Sequence, residues 1–200
     1  MEHIWIEKNK KGPTLILLHG TGGDERSLLE LGNMVAPDAN LLALRGQVNE
    51  NGMLRFFARK AMGVYDQDDL ELRSRHIIEF LEDHINKYGL EDSPLYLFGF
   101  SNGANMGIHL LLKAPTLFRG AVLMAPMYPL EPTNQVDWSN HDIFLSFGQE
   151  DPMCSLEDSA KVAGLFEGFG AKAQIFWVNG HEVTMPLVQA VSQWMNAKLS

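Results

Sequence analysis

Gly99-Phe100-Ser101-Asn102-Gly103 sets a serine between two glycines in the pattern G-x-S-x-G. The chemistry such a pattern serves is nucleophilic attack by a hydroxyl. The pattern ends the apolar run 94–100, "PLYLFGF", and opens a helical pattern over 102–114. Ser101 is therefore predicted on a tight strand-to-helix turn that lifts its hydroxyl clear of the backbone. Glycines stand where side chains would clash. The helix start behind it supplies backbone N–H groups and a positive partial charge. An ordinary glycine-rich turn is the competing reading, and partners elsewhere in the chain weigh against it.

A serine hydroxyl is a weak nucleophile and needs a base that is itself held by an acid. In this setting they follow the serine in the order Asp or Glu, then His. Three histidines follow Ser101, namely His109, His141 and His181. His109 lies two turns along the helix after the serine and would point away from the strand ends. His141 stands just before a strand, at the opposite edge of the sheet. His181 follows the run 173–179, "AQIFWVN", and Gly180, which puts it on a loop at the carboxyl ends of the strands. "HEVTM" (181–185) stops one letter short of a zinc signature. Met185 stands where H-E-x-x-H needs its second imidazole, so His181 reads as a base.

The acid is expected in "GQEDPMC" (148–154), where the chain turns after the run 142–148. Asp151 is preferred over Glu150 because Asp-Pro suits a turn, and the neighbouring Glu would point the other way. Its role would be to accept the Nδ1–H of His181 and fix the tautomer. In "LLHGTGGDE" (17–25) a strand ends in a glycine-rich turn. The lysine and spacing of a phosphate-binding loop are missing. The loop is instead placed to aim a backbone N–H at a developing oxyanion, through Thr21 or, as the alternative, Gly22. Asn102, the residue after the nucleophile, would supply the second N–H. His19 reads as a brace for this loop through hydrogen bonding.

These residues need a frame that brings distant loops together. Runs 14–19, 40–45, 94–100, 120–125, 142–148 and 173–179 are near-continuously apolar. That is the pattern of parallel strands covered on both faces. Residues 3–8 alternate and predict an edge strand. Helices are expected over 69–88, 102–114, 155–168 and 184–198, with Gly89 as the C-cap of the first. Alternation of strand and helix predicts one doubly wound α/β domain over 1–200, whose site gathers at the carboxyl ends of the strands. The stretch 45–68 is too long for a plain loop, so it is expected to be functional or to hide a helix.

Composition excludes several classes. The net charge of −9 without a Lys/Arg cluster argues against nucleic-acid binding. One cysteine, Cys154, suits a reducing compartment. The first residues lack the pattern of a secretory leader, and no apolar run reaches the length of a membrane span. The expectation is a cytoplasmic, acidic domain, with a homodimer left open.

Together, "LLHGTGGDE", "RGQVNENGMLRFF", "FGFSNGANMG", "GQEDPMC" and "NGH" resemble the bacterial phospholipase/carboxylesterase family of α/β-hydrolases, which also includes acyl-protein thioesterases. The resemblance runs over nearly the whole chain. It implies a serine esterase with the triad Ser101, Asp151 and His181, and with the amides of Thr21 and Asn102 as the oxyanion hole. It implies a small-molecule ester substrate and no cofactor or metal. Thr21 departs from the leucine that family loops often carry, which bears on pocket shape more than on chemistry.

Only residues 126–141 separate the strand after the serine helix from the next strand. That is too short for a lid domain. The open cleft is expected to be shaped by Met53, Phe56, Phe57, Met127 and Tyr128, and to suit short or medium acyl chains. Each bound methylene would add at most about 0.8 kcal/mol. Lysophospholipase or thioesterase activity is the nearest rival, and a non-catalytic receptor the rival of another class. Arg45 and Arg55, cations of the same loop, could receive a carboxylate or phosphate, but solvated cations are the preferred reading; Cys154 is read as structural.

Overall fold

The computed structural model describes residues 1–132 and 135–199. In chain order the elements are β1 (His3–Ile6), β2 (Thr14–Leu18), α1 (Leu29–Val35), β3 (Asn40–Leu44), β4 (Val48–Glu50), β5 (Met53–Arg55), β6 (Arg59–Ala61), β7 (Val64–Tyr65) and α2 (Gln67–Tyr88). There follow β8 (Leu95–Phe100), α3 (Asn102–Lys113), a short 3₁₀ turn, β9 (Gly120–Met124), β10 (Asp142–Gly148), α4 (Leu156–Gly168), β11 (Ala173–Val178) and α5 (Met185–Leu199). The predicted strands and helices form with bounds within two residues of expectation, while α1 and the four short strands β4–β7 were not predicted.

Seven strands form one sheet in the order β1-β3-β2-β8-β9-β10-β11. β1 pairs antiparallel with β3, and the other pairs are parallel. β2, β3, β9 and β10 are buried along their whole length because helices cover both faces. α2, α3 and α4 bury Leu70, Ile77, Leu81, Ile108, Leu111, Val162 and Phe166 against one face. α1 and α5 bury Val35, Leu187, Val191 and Met195 against the other.

Local chemistry sets the helix ends that matter to the site. The Asp66 side chain caps α2 by accepting the Asp69 N–H, and Gly89 closes the helix in the left-handed conformation at φ 65°. Ser155 and Asp158 form a reciprocal capping box that starts α4 just beyond the β10 turn. Up to the start of α2 at Gln67, the stretch 45–68 holds no helix. It is two hairpins, β4–β5 and β6–β7. The first turns on Asn51-Gly52, both at positive φ (54° and 88°). A two-residue Asn-Gly turn matches the strand twist and favours a hairpin over the helix considered from length alone.

Candidate active site

β8 runs into α3 through Ser101, which sits at φ 52°, ψ −117°. An L-residue rarely adopts this conformation, and the surroundings enforce it. Ser101 N–H donates to Met124 O at 2.8 Å, and Ser101 O accepts from Asn105 N at 2.9 Å. The flanking glycines allow the close approach that makes the turn. A Cβ on Gly103 would stand 2.0 Å from Leu18 O, and one on Gly99 would stand 2.7 Å from Ala104 N. The start of α3 therefore lies directly against the end of β2.

Ser101 Oγ is 2.9 Å from His181 Nε2, and His181 Nδ1 is 2.7 Å from Asp151 Oδ2. The Asp151 side chain is fully enclosed. Its other oxygen, Oδ1, accepts the backbone N–H groups of Met153 (2.7 Å) and Cys154 (3.1 Å). A carboxylate only accepts, so Nδ1 of His181 carries the proton and Nε2 is left to accept from the Ser101 hydroxyl. Three residues from three carboxyl-end loops thus form one directed chain of hydrogen bonds. Glu150 is exposed and takes no part, while Glu182 accepts from Gly180 N–H at 3.2 Å.

The choice between Thr21 and Gly22 is narrowed by backbone bonding. Gly22 N–H donates to Leu54 O at 2.9 Å, so that amide is engaged. Thr21 N–H has no acceptor among the described residues, and Asn102 N–H belongs to the unpaired first turn of α3. His19 braces the loop as expected. Gly46 N–H donates to His19 Nε2 at 2.9 Å, so Nδ1 bears the proton and donates to Gly20 O at 2.7 Å. Burial lowers the His19 pKa, which keeps this neutral tautomer in place. The other two histidines that follow Ser101 lie elsewhere: His141 Nε2 meets Pro115 O, and His109 Nδ1 meets Tyr128 OH.

Beside Ser101 opens a cavity of about 350 Å³. The family model described as phospholipase/carboxylesterase matches residues 1–199. The chain belongs to the phospholipase/carboxylesterase family. It is a carboxylic ester hydrolase with an α/β-hydrolase fold. It is similar to MhqD of Bacillus subtilis (strain 168), with 37% identity over 97% of this chain and 97% of that protein. The carboxylesterase of Bacillus cereus superposes with a TM-score of 0.94 at 37% identity, covering 98% of this chain and 94% of that one. A carboxylesterase from Mesorhizobium loti gives a TM-score of 0.87 at 28% identity, covering 94% of this chain and 90% of that one.

Within this esterase-family fold the pocket differs in part from expectation. Met53 and Met127 line the cavity. Phe56 and Phe57 do not; they are 2% and 0% exposed and belong to the core between the sheet and α2. Backbone bonding turns them inward: Phe56 N–H donates to Asn102 Oδ1 at 2.7 Å, and the Phe56 ring stacks near His19. Tyr128 is also buried, against His109, and lines a different, smaller hollow between α2 and α3.

Tyr65, Phe100 and Met62 line the cavity and were not singled out from sequence. Phe100 had a signal, since it directly precedes Ser101. Tyr65 is fixed by a bond from its hydroxyl to Met127 O at 2.6 Å, which sequence does not reveal.

Arg55 is not solvated. It is 5% exposed, lines the cavity, and donates from Nη1 to Thr21 Oγ1 at 2.8 Å. Arg45 instead sits outside the cavity in an ion cluster with Glu25 and Glu2. Cys154 is buried, with burial first and Asp151 second raising its thiol to about 12, so it stays protonated. Cys154, Asp151 and His181 place potential metal-ligand atoms within 4.8 Å of one another. Both His181 nitrogens and both Asp151 oxygens already have partners, so this trio reads as part of the hydrogen-bonded chain. No helix among the described residues is long and apolar enough to cross a membrane.

Proposed function

We propose that this carboxylic ester hydrolase cleaves short- to medium-chain acyl esters through Ser101, His181 and Asp151 by way of an acyl-enzyme. The observation that carries the reading is the directed chain Asp151–His181–Ser101, which opens on the cavity. Ser101 Oγ attacks the ester carbon while its proton passes to His181 Nε2. The carbonyl π pair moves onto oxygen, where the N–H groups of Thr21 and Asn102 receive it. Collapse re-forms the carbonyl and breaks the bond to the leaving alkoxide, which takes the proton from His181. Water then repeats the sequence on the acyl-enzyme and releases the acid. Asp151 stays ionised and steadies the imidazolium.

The pocket size supports the acyl-length reading. About 350 Å³, walled by Met53, Met62, Tyr65, Phe100 and Met127, suits a small substrate better than a long chain. The test is fluorophosphonate labelling with peptide mass mapping. A stoichiometric adduct on Ser101, lost in His181→Ala, is the expected result. A folded sample that takes no adduct would sink the triad reading and favour a binding protein. A chain-length series of 4-nitrophenyl esters then sets the acyl preference; a rate still climbing at long chains, or a clear preference for thioesters, would replace the short-chain assignment.

A further inference from the structure

The permanently charged side chains in the cavity lining are both basic. The protein carries 25 acidic and 16 basic residues. Yet the charged side chains that line the cavity, apart from His181, are Arg55 and Arg59, and among the described residues no Asp or Glu lines it. Arg55 is the buried one of the pair, at 5% exposure. Its hydrogen bonds go to neutral oxygens: Nη1 to Thr21 Oγ1 at 2.8 Å and Nε to Phe57 O at 3.3 Å. Glu50 Oε2, which has no hydrogen-bond donor of its own among the described residues, forms a long ion pair with Nη1 at 3.6 Å, beyond hydrogen-bond reach. Glu50 is committed to Arg59 through its other oxygen at 3.0 Å.

A buried guanidinium without a hydrogen-bonded anion is costly. The chain does not lack means to neutralise one. Arg45, far more open to water, is gripped by Glu25 through two bonds and by Glu2 as well. Keeping Arg55 underpaired inside the cavity is explained by an anion that arrives with the substrate. The planar fork of arginine fits a carboxylate, which it meets with two parallel bonds.

We propose that Arg55 binds a free carboxylate on the substrate, so that the preferred substrates are small esters bearing a carboxylate close to the scissile carbonyl. This rests on Ser101 being the nucleophile. Thr21 links the two functions: its hydroxyl accepts from Arg55, and its own N–H is the one placed for the oxyanion. A carboxylate on Arg55 is thereby held one side chain away from the reacting carbonyl, within a short carbon spacer. The other cation of the wall, Arg59, is hydrogen-bonded to Glu50, so Arg55 sets the orientation.

The experiment compares charged and neutral esters in a pH-stat with the intact protein. Monoethyl succinate against ethyl butyrate places the carboxylate on the acyl side. 4-Acetoxybutanoate against butyl acetate places it on the alcohol side, and the pair with the larger preference identifies the arrangement. The native enzyme is expected to favour one charged ester in kcat/KM. Arg55→Gln is expected to reduce that charged-to-neutral ratio by about 10- to 100-fold, as loss of a charge-assisted bond does. Arg55→Lys, which keeps the charge and loses the fork, falls between. No charged preference in the native enzyme would overturn the proposal. So would a ratio that both variants leave unchanged, since Arg55 would then only brace Thr21.

Calorimetry with succinate, which offers a carboxylate and no ester to cleave, gives a readout independent of turnover. Binding to the native protein that is lost in Arg55→Gln sustains the carboxylate site even if no ester is cleaved, in which case the esterase reading alone fails. No binding to the native protein removes the site.

Discussion

Two histidines in this protein face a hydroxyl beside a carboxylate and line a hollow, yet their surroundings differ. His181 has Ser101 Oγ at 2.9 Å and Asp151 at 2.7 Å, so each nitrogen has a defined role. His109 has Tyr128 OH at 2.8 Å, but its nearest carboxylate oxygen, on Glu71, lies 3.6 Å away. That carboxylate is held by Lys113. Burial lowers the His109 pKa to about 4 and raises that of the Tyr128 hydroxyl. The pair is therefore a neutral structural bond with no activated nucleophile. A hydroxyl and an imidazole in contact are not enough. The acid must orient the ring, the hydroxyl must stand on an exposed turn, and unpaired amides must wait beside it.

That contrast is open to direct tests. Ser101→Ala and His181→Ala are each expected to lower kcat for a short ester by about 10⁶-fold; loss of less than tenfold in steady-state assays would dissolve the distinction. Asp151→Asn keeps the shape but lets the ring settle in the wrong tautomer, and a loss of about 10⁴-fold is expected. His109→Leu should leave ester turnover unchanged while stranding the Tyr128 hydroxyl. The cost in stability is about 1–3 kcal/mol, read as a lower urea midpoint. A variant with native stability and poor turnover would place His109 with the chemistry instead.

The smallest effect expected is on the pH slope of stability. His109 and His84 both have folded-state pKa values lowered from 6.5 to about 4, mainly by burial. As pH falls below about 6.5 the unfolded chain takes up protons that the folded chain refuses until about 4. Their contribution is complete above that window and is lost through it, at up to about 1.4 kcal/mol per pH unit for each histidine. His109→Leu should flatten the decline in urea midpoint between pH 6.5 and 4.5. Identical slopes in variant and native protein would show that His109 does not titrate as its burial demands.

Sequence showed most of the frame because parallel strands buried on both faces leave unbroken apolar runs such as "TLILL" and "IFLSFG". It singled out Ser101, Asp151 and His181 because each follows such a run, so chain position alone put them on one rim. The pocket was harder. Phe56 and Phe57 are as apolar as true lining residues, and tertiary bonds such as that from Phe56 N–H to Asn102 set which way the segment faces. Arg55 was misread because a charge in a loop is ordinarily solvated, and burial of a charge is a tertiary fact. The Asn51-Gly52 hairpin signal is present in the letters, but the reading of that stretch rested on its length alone.

The two hairpins between β3 and α2 carry Met53, Arg55, Arg59, Met62 and Tyr65, a large part of the cavity wall. They are tied to the body at a few backbone points: Gly46 to His19, Leu54 to Gly22, Phe56 to Asn102 and Ala58 to Asp69. None of their strands joins the seven-stranded sheet. The segment is thus an exchangeable cassette. Grafting a different pair of hairpins onto the same anchor points would give an enzyme with new tastes and an unaltered engine, an economical route by which one scaffold can diversify.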